Sequence, residues 1–168
     1  MKIALVYSVK APSRGTSKSA GLDFFVPEFS AEFVKSFLQK NSSYYQCSLN
    51  MTDKSIRIKP HRKVMIPLGL KVEVPEGYAF IAFNKTGVSW DNTIFNLSAV
   101  VDEDYQGMLF LTVVNYSEDV SIILENQKVI QLVLVPVKYE SVEIVPESQI
   151  HTSISERSTG AFGSTGKF

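Results

Sequence analysis

The sequence is short of the residue types that most often announce a function. Among its 168 residues Cys47 is the only cysteine, so no intramolecular disulfide can form and no cysteine-rich zinc site exists. A lone cysteine with no obvious histidine partner reads as an ordinary residue of a reducing compartment. His61 and His151 are the two histidines, and they lack metal-ligand spacing. Neither charge is in excess, since 17 basic residues balance 17 acidic ones. There is therefore no global electrostatic case for a nucleic-acid or membrane partner, and any anion binding has to be local. Long hydrophobic runs are missing too. The N-terminal "IALVYSV" is too short for a signal-peptide core, and nothing approaches a membrane span. The Asn-x-Ser/Thr triplets at Asn41, Asn50, Asn96 and Asn115 are then chance matches. The expectation is a soluble, cytoplasmic protein. Hydrophobic residues make up 45% of the chain, enough for a core, and the length suits one domain.

What is present is mostly strand. "KIALVYSV", "KVMIPLGLKVEV", "YAFIAF", "MLFLTVVNY", "VSIIL" and "KVIQLVLVPVKY" are rich in β-branched and aromatic residues. Pro, Gly, Asn and Asp signals separate them. The connections are too short for crossover helices, so the pattern predicts an antiparallel β-sandwich or barrel. One segment differs. "FSAEFVKSFLQKN" puts Phe29, Phe33, Val34, Phe37 and Leu38 on one stripe at helical spacing. Ser30 is a natural N-cap and Phe29 a candidate staple, so a helix is expected from Ala31 to Lys40, packed on the barrel. "NSSYYQCSLNMTDKS" after it reads as a polar loop. A terminal arm is expected from about Ile150.

Four stretches could carry chemistry. In "SAVVDEDYQGMLFLTVV" two strand-like runs flank an acidic bend. On an extended chain Asp102 and Asp104 would share a face, which costs energy unless a metal, donor or proton offsets it. The plain alternative is a solvated acidic turn. Tyr105 beside them is either core or a flat surface for a ring. In "FNKTGVSW", Lys85, Thr86 and Gly87 follow a strand and offer an ammonium, a hydroxyl and backbone N–H groups suited to phosphate. An ordinary strand-ending turn is the alternative, and the upstream glycines of a Walker A loop are absent. Gln131 interrupts an apolar strand and needs a partner, either a neighbouring backbone group or a ligand. The terminal "ERSTGAFGSTGKF" combines an anion-binding arginine, hydroxyls, glycines for close approach and one ring, Phe162, for which a random polar tail has no use.

Taken in order, "SAGLDF", "NKTGVS", "NLSAVVDEDYQG", "VIQLVLVP" and "ERSTGAFGSTG" resemble the five motifs of the trimeric dUTPases, from Ser19 to Gly166. The resemblance implies an all-β, distorted jelly-roll subunit carrying one short inserted helix. It implies a barrel domain over residues 1–149, with the helical insertion near 28–56, and a C-terminal arm over 150–168. It implies a homotrimer with shared active sites that hydrolyses dUTP to dUMP and pyrophosphate with Mg²⁺, limiting uracil in DNA. By the same resemblance Asp102 activates the attacking water, Tyr105 lies under the deoxyribose, Asn96 reads the uracil edge and Phe162 stacks on the base. Lys85, Thr86, Gln131, Arg157, Ser164 and Thr165 fall on phosphate-binding positions. Asp23 matches an aspartate near the metal's water shell, with the triphosphate and water as direct ligands. The chain departs from the pattern at Lys85, where arginine is usual, and at Ala99, Ser158 and Ala161, where glycines are usual. Two alternatives share the fold: a dCTP deaminase, and a nucleotide-sensing or protein-binding module that has lost catalysis.

Overall fold

The computed structural model describes residues 1–42, 46–151, 153 and 158. Among these residues the chain forms twelve strands: β1 (Lys2–Leu5), β2 (Gly21–Phe25), β3 (Cys47–Asn50), β4 (Ser55–Ile58), β5 (Lys63–Pro67), β6 (Leu70–Glu73), β7 (Tyr78–Asn84), β8 (Ile94–Asn96), β9 (Val100–Val101), β10 (Phe110–Asn115), β11 (Ser121–Leu124) and β12 (Lys128–Pro136). Two helices interrupt them, α1 (Ala31–Lys40) and α2 (Thr86–Asp91). The strands pair antiparallel in four small sheets, ordered β2-β12-β7-β9, β5-β10-β8, β11-β4-β3 and β1-β6. This is the all-β, jelly-roll-like architecture expected. Chain contacts divide it into a compact unit, Met1–Val137, and a second unit, Lys138–Phe168. Among its described residues the second unit holds no strand and no α-helix, only a single 3₁₀ turn, Glu147–Gln149.

Inward-facing aliphatic and aromatic side chains of the first unit make the core. Phe24 and Phe80 meet edge-on at 6.5 Å, and Ile56, Ile58, Ile66, Leu111 and Ile123 are fully enclosed around them. Helix α1 adds Phe33 and Phe37, both fully buried, at about 1.5–3 kcal/mol each for the apolar transfer. Ser30 caps it as expected, accepting from the Phe33 N–H at 3.3 Å, an arrangement worth about 1 kcal/mol. The Phe29 ring lies parallel to Phe33 at 4.9 Å. At the other end Asn41 acts as one rung of a strand. Its Nδ2 donates to the Met65 carbonyl at 2.8 Å and its Oδ1 accepts from the Met65 N–H at 2.9 Å, which ties the helix to β5.

Two sequence expectations change. The stretch after α1 is not all loop, since β3 lies within it and pairs with β4 in register Asn50↔Ser55. The reason is local: Asn50 Oδ1 accepts from the Thr52 and Asp53 N–H groups, making an Asx turn that folds the chain back on itself. Cys47 is buried on that strand, and burial pushes its thiol pKa up, away from reactivity. Secondly, "KVMIPLGLKVEV" breaks into β5 and β6 at Gly69, whose φ is +68°. A Cβ there would sit 2.9 Å from the Tyr7 ring, and the Gly69 carbonyl accepts from both Val6 and Tyr7 N–H groups. Only glycine meets both demands.

Candidate functional site

The neighbours β2, β12 and β7 bring three of the expected residues together. Asp23 stands opposite Gln131, and Gln131 opposite Phe83, one residue short of the end of β7. Asp23 is only 6% exposed. Lys85 Nζ lies 3.1 Å from its Oδ1, and Lys128 Nζ lies 2.9 Å from its Oδ2. Burial by itself would raise the Asp23 pKa. The hydrogen bonds and charges of the two lysines outweigh it and hold the carboxyl below its ordinary value. Two ammonium groups against one carboxylate leave one net positive charge at this end of the sheet. Gln131 finds the partner its position demands, donating from Nε2 to the Asn84 carbonyl at 3.1 Å. Gly21 makes that possible, because a Cβ there would come within 2.8 Å of Gln131 Oε1. Lys85 is the residue before α2, and Thr86 opens that helix, exposed. The Lys-Thr-Gly stretch is thus the start of a short helix, not the ordinary turn weighed as its alternative.

The second region is a hairpin whose arms part. Strand β8 pairs with β10, whereas β9, four residues further on, pairs with β7 in the other sheet. The parting begins at Asn96. Its side-chain amide turns back on Ser98, accepting from the Ser98 N–H at 2.8 Å and donating to the Ser98 carbonyl at 2.6 Å. The Thr112 N–H then bonds the Ser98 hydroxyl at 2.9 Å in place of a backbone carbonyl. Between the arms lies a cavity of about 60 Å³, lined by Ala82, Ser98, Ala99, Val101, Leu109 and Phe110 among others. The Asn84 side chain links this region to the first, since its Oδ1 accepts the Asn96 N–H at 2.6 Å.

At the closed end the chain turns. The Tyr105 N–H donates to the Asp102 carbonyl at 3.2 Å, so Asp102 to Tyr105 is a tight turn. The extended geometry that would place Asp102 and Asp104 on one face is not adopted. Asp102 is exposed. The Tyr105 ring is pinned by its hydroxyl, which donates to the Met108 carbonyl at 2.9 Å. Gly107 lies directly beneath, where a Cβ would overlap the ring's Cζ and Oη. Extending the β7–β9 register by one residue sets Asp102 opposite Ala79, six residues from Lys85. At the rise of a β-strand that is about 20 Å. The cluster at Asp23 and the turn at Asp102 are therefore opposite ends of one strand. Arg157, Phe162, Ser164 and Thr165 lie outside the described residues.

Sequence reasoning passed over Lys128, Asn84, Ser98, Glu103 and Gly107. Lys128 carried no signal of its own: regular alternation would put a residue three before Gln131 on the opposite face, and a β-bulge between Lys128 and Ile130 breaks that alternation. Among the described residues no three His, Cys, Asp or Glu side chains converge as a metal cage, and no helix is long and apolar enough to cross a membrane.

Comparisons with known proteins bear on the family and the fold. The sequence model of the dUTPase family matches residues 51–166. A deoxyuridine 5'-triphosphate nucleotidohydrolase of Bordetella avium is 35% identical over 118 residues, covering 68% of this chain and 76% of the relative. One from Fusobacterium nucleatum is 36% identical over 115 residues, covering 67% and 76%. The dUTPase of Staphylococcus bacteriophage 80alpha, solved with dUpNHpp, superimposes with a TM-score of 0.75 at 21% identity, covering 98% of this chain and 97% of that one. That of phage phi11 of S. aureus, in which a species-specific insert was visualised, gives 0.66 at 19% identity, covering 89% and 97%. These two likenesses speak to the fold, which is all-β and jelly-roll-like. The chain belongs to the dUTPase family.

Proposed function

We propose that this protein hydrolyses dUTP to dUMP and pyrophosphate. The observation that carries the reading is the parted hairpin, with a slot between its arms and Asp102 and Tyr105 on its closing turn, in a chain of this family. A flat pyrimidine enters the slot edge-on. Asn96, by bracing Ser98, keeps the arms apart so that backbone groups read the base. A tightly fitted slot rejects the 5-methyl of thymine on size, and cytosine by leaving buried donors and acceptors unpaired. The pinned Tyr105 ring packs beneath the deoxyribose and leaves no room for a 2′-hydroxyl. Asp102, exposed on the turn, holds a water and takes its proton as that water attacks the α-phosphorus, in line with the departing pyrophosphate.

The triphosphate needs positive charge. Lys85 supplies it from the strand end, with Thr86 and Gln131 as polar contacts. The family match extends through residue 166 and so includes Arg157, Phe162, Ser164 and Thr165. These residues bring a guanidinium and hydroxyls to the phosphates and a ring to the base. When bound, Mg²⁺ supplies charge neutralisation on the triphosphate. The donor set fits a metal that arrives with the substrate: both Asp23 oxygens already hold an ammonium, yet each keeps a lone pair for a metal-bound water. The separation of about 20 Å between Lys85 and Asp102 supports a homotrimer, since one copy's phosphate cluster can then serve another copy's hairpin. Pyrophosphate release from dUTP, dCTP, dTTP and UTP, with Mg²⁺ present, tests the reading. Turnover of dUTP alone is expected. Ammonia from dCTP would replace it with a deaminase, and tight dUTP binding without turnover with a sensing module.

A further inference from the structure

The acidic turn contains a carboxylate with no part in the chemistry above. Glu103 occupies the second position of the Asp102–Tyr105 turn, between Asp102 and Asp104. Its Oε2 accepts the Gly77 N–H at 2.6 Å. Gly77 belongs to the β6–β7 connection, far from the hairpin in sequence, and it is firmly built. Its φ of +76° lets the Tyr78 N–H reach back to the Pro75 carbonyl at 3.1 Å. Its own carbonyl accepts from the Val137 N–H at 2.8 Å, at the end of β12. The Gly77 peptide is thus bonded on one side to the end of the main sheet, and its N–H is offered on the other.

We propose that Glu103 is a positioning residue for the reaction: it clamps the Asp102 turn to the Gly77 turn and so fixes where the Asp102 carboxylate stands. The inference rests on the role given to Asp102 above. The Asp102–Tyr105 bond sets the conformation of the two central residues, Glu103 and Asp104, but not the orientation of the turn as a unit. Anchoring the side chain of the first removes rotation of the whole turn about its ends. The direction of Cα–Cβ at Asp102 is set by that turn. A displacement of about 1 Å at a group that aims a nucleophile costs about a hundredfold in rate. The base slot begins at Ser98 and is braced by Asn96 and Thr112 instead. The clamp therefore acts on turnover more than on binding.

Three variants separate the clamp from simple loss of charge. Glu103→Ala removes the acceptor, Glu103→Gln keeps a neutral one at the same reach, and Glu103→Asp keeps the charge but draws it back by one methylene. The expected result is a kcat for pyrophosphate release lowered tenfold or more in Glu103→Ala and Glu103→Asp, with KM within about threefold, and Glu103→Gln within about threefold of wild type. Hydrogen exchange of the Gly77 amide supplies a readout independent of activity: it should quicken about tenfold or more in Glu103→Ala and stay slow in Glu103→Gln. Wild-type kcat in Glu103→Ala overturns the proposal. So does a Glu103→Gln that falls as far as Glu103→Ala, since charge and not the hydrogen bond would then matter. A wild-type protein that releases no pyrophosphate sinks the functional reading, while the Gly77 exchange still decides whether Glu103 holds the turn.

Discussion

The two ends of β7 are built on opposite principles. At the Lys85 end, side chains from three neighbouring strands meet as charges: Asp23 buried, Lys85 and Lys128 closing on it from either side. At the Asp102 end the backbone does the work. The Asp102–Tyr105 hydrogen bond closes the turn, and Tyr105 is pinned over Gly107 by a main-chain carbonyl. Asn96 and Ser98 part the hairpin arms, and Asn96 reaches back to β7 at Asn84. The contrast follows the ligand. A triphosphate is recognised by charge, which tolerates small shifts in distance. A base and a sugar are recognised by shape and by hydrogen-bond pattern, which do not. Damage to the first region should therefore weaken binding in a graded way, whereas damage to the second should change rate or specificity sharply.

Asp102→Asn should show the sharpest effect. It removes the proton acceptor but keeps the shape, so kcat should fall about a thousandfold while dUTP binding survives. Single-turnover release together with equilibrium binding of dUTP checks both halves. Retained turnover would return Asp102 to the class of solvated turn residues. Gly107→Ala comes next. Its methyl group would displace the Tyr105 ring, so kcat/KM on dUTP should drop about tenfold, and the preference for dUTP over UTP should shrink with it. Unchanged selectivity between the two would mean that Tyr105 does not sense the sugar.

The charged end predicts a change in stability and in its pH dependence. Asp23→Asn leaves Lys85 and Lys128 side by side without the carboxylate between them. The cost at pH 7 is about 2 kcal/mol, at the low end for a buried pair because both lysines are partly exposed. The Asp23 pKa is lower folded than unfolded. Its contribution is therefore complete above the unfolded value of about 4 and fades as the pH falls through the depressed folded value. Urea unfolding of wild type and variant should differ at pH 7 and converge toward pH 3. A constant gap across that range would show that Asp23 contributes by packing and not by charge.

Helix α1 could be read from the chain because its signals are local: a cap at Ser30, a stripe of apolar residues and a polar end at Asn41. The site residues Asp23, Lys85 and Gln131 were legible as members of ordered motifs, Lys85 and Gln131 at phosphate-binding positions and Asp23 at one near the metal's water shell. Lys128 was not, although it grips Asp23 as closely as Lys85 does, because only strand register brings residues so far apart to one carboxylate. Strand β3 escaped for a related reason. It is only four residues long within a largely polar stretch, and its pairing depends on the Asn50 turn. Glu103 looked like a spacer between two aspartates, and its partner Gly77 is fixed only once β6, β7 and β12 have assembled.

The smallest effect lies between the two regions. Helix α2 starts beside Lys85, and Asn92 at its end leads into β8 and the hairpin. Within it the Ser89 hydroxyl is buried with no hydrogen-bond partner. Such a group carries a desolvation cost without return, and serine is also a poorer helix former than alanine. Ser89→Ala should stabilise the protein by about 1 kcal/mol, seen as a melting temperature raised by about 2–4 °C. Because the two regions recognise different parts of the substrate by different means, a firmer helix between them should leave both kcat and KM for dUTP where they were. A stabilised variant with altered KM alone would place the coupling at Lys85, and one with altered kcat alone would place it in the hairpin. Either result would add α2 to the Asn84 contacts that already link the two regions.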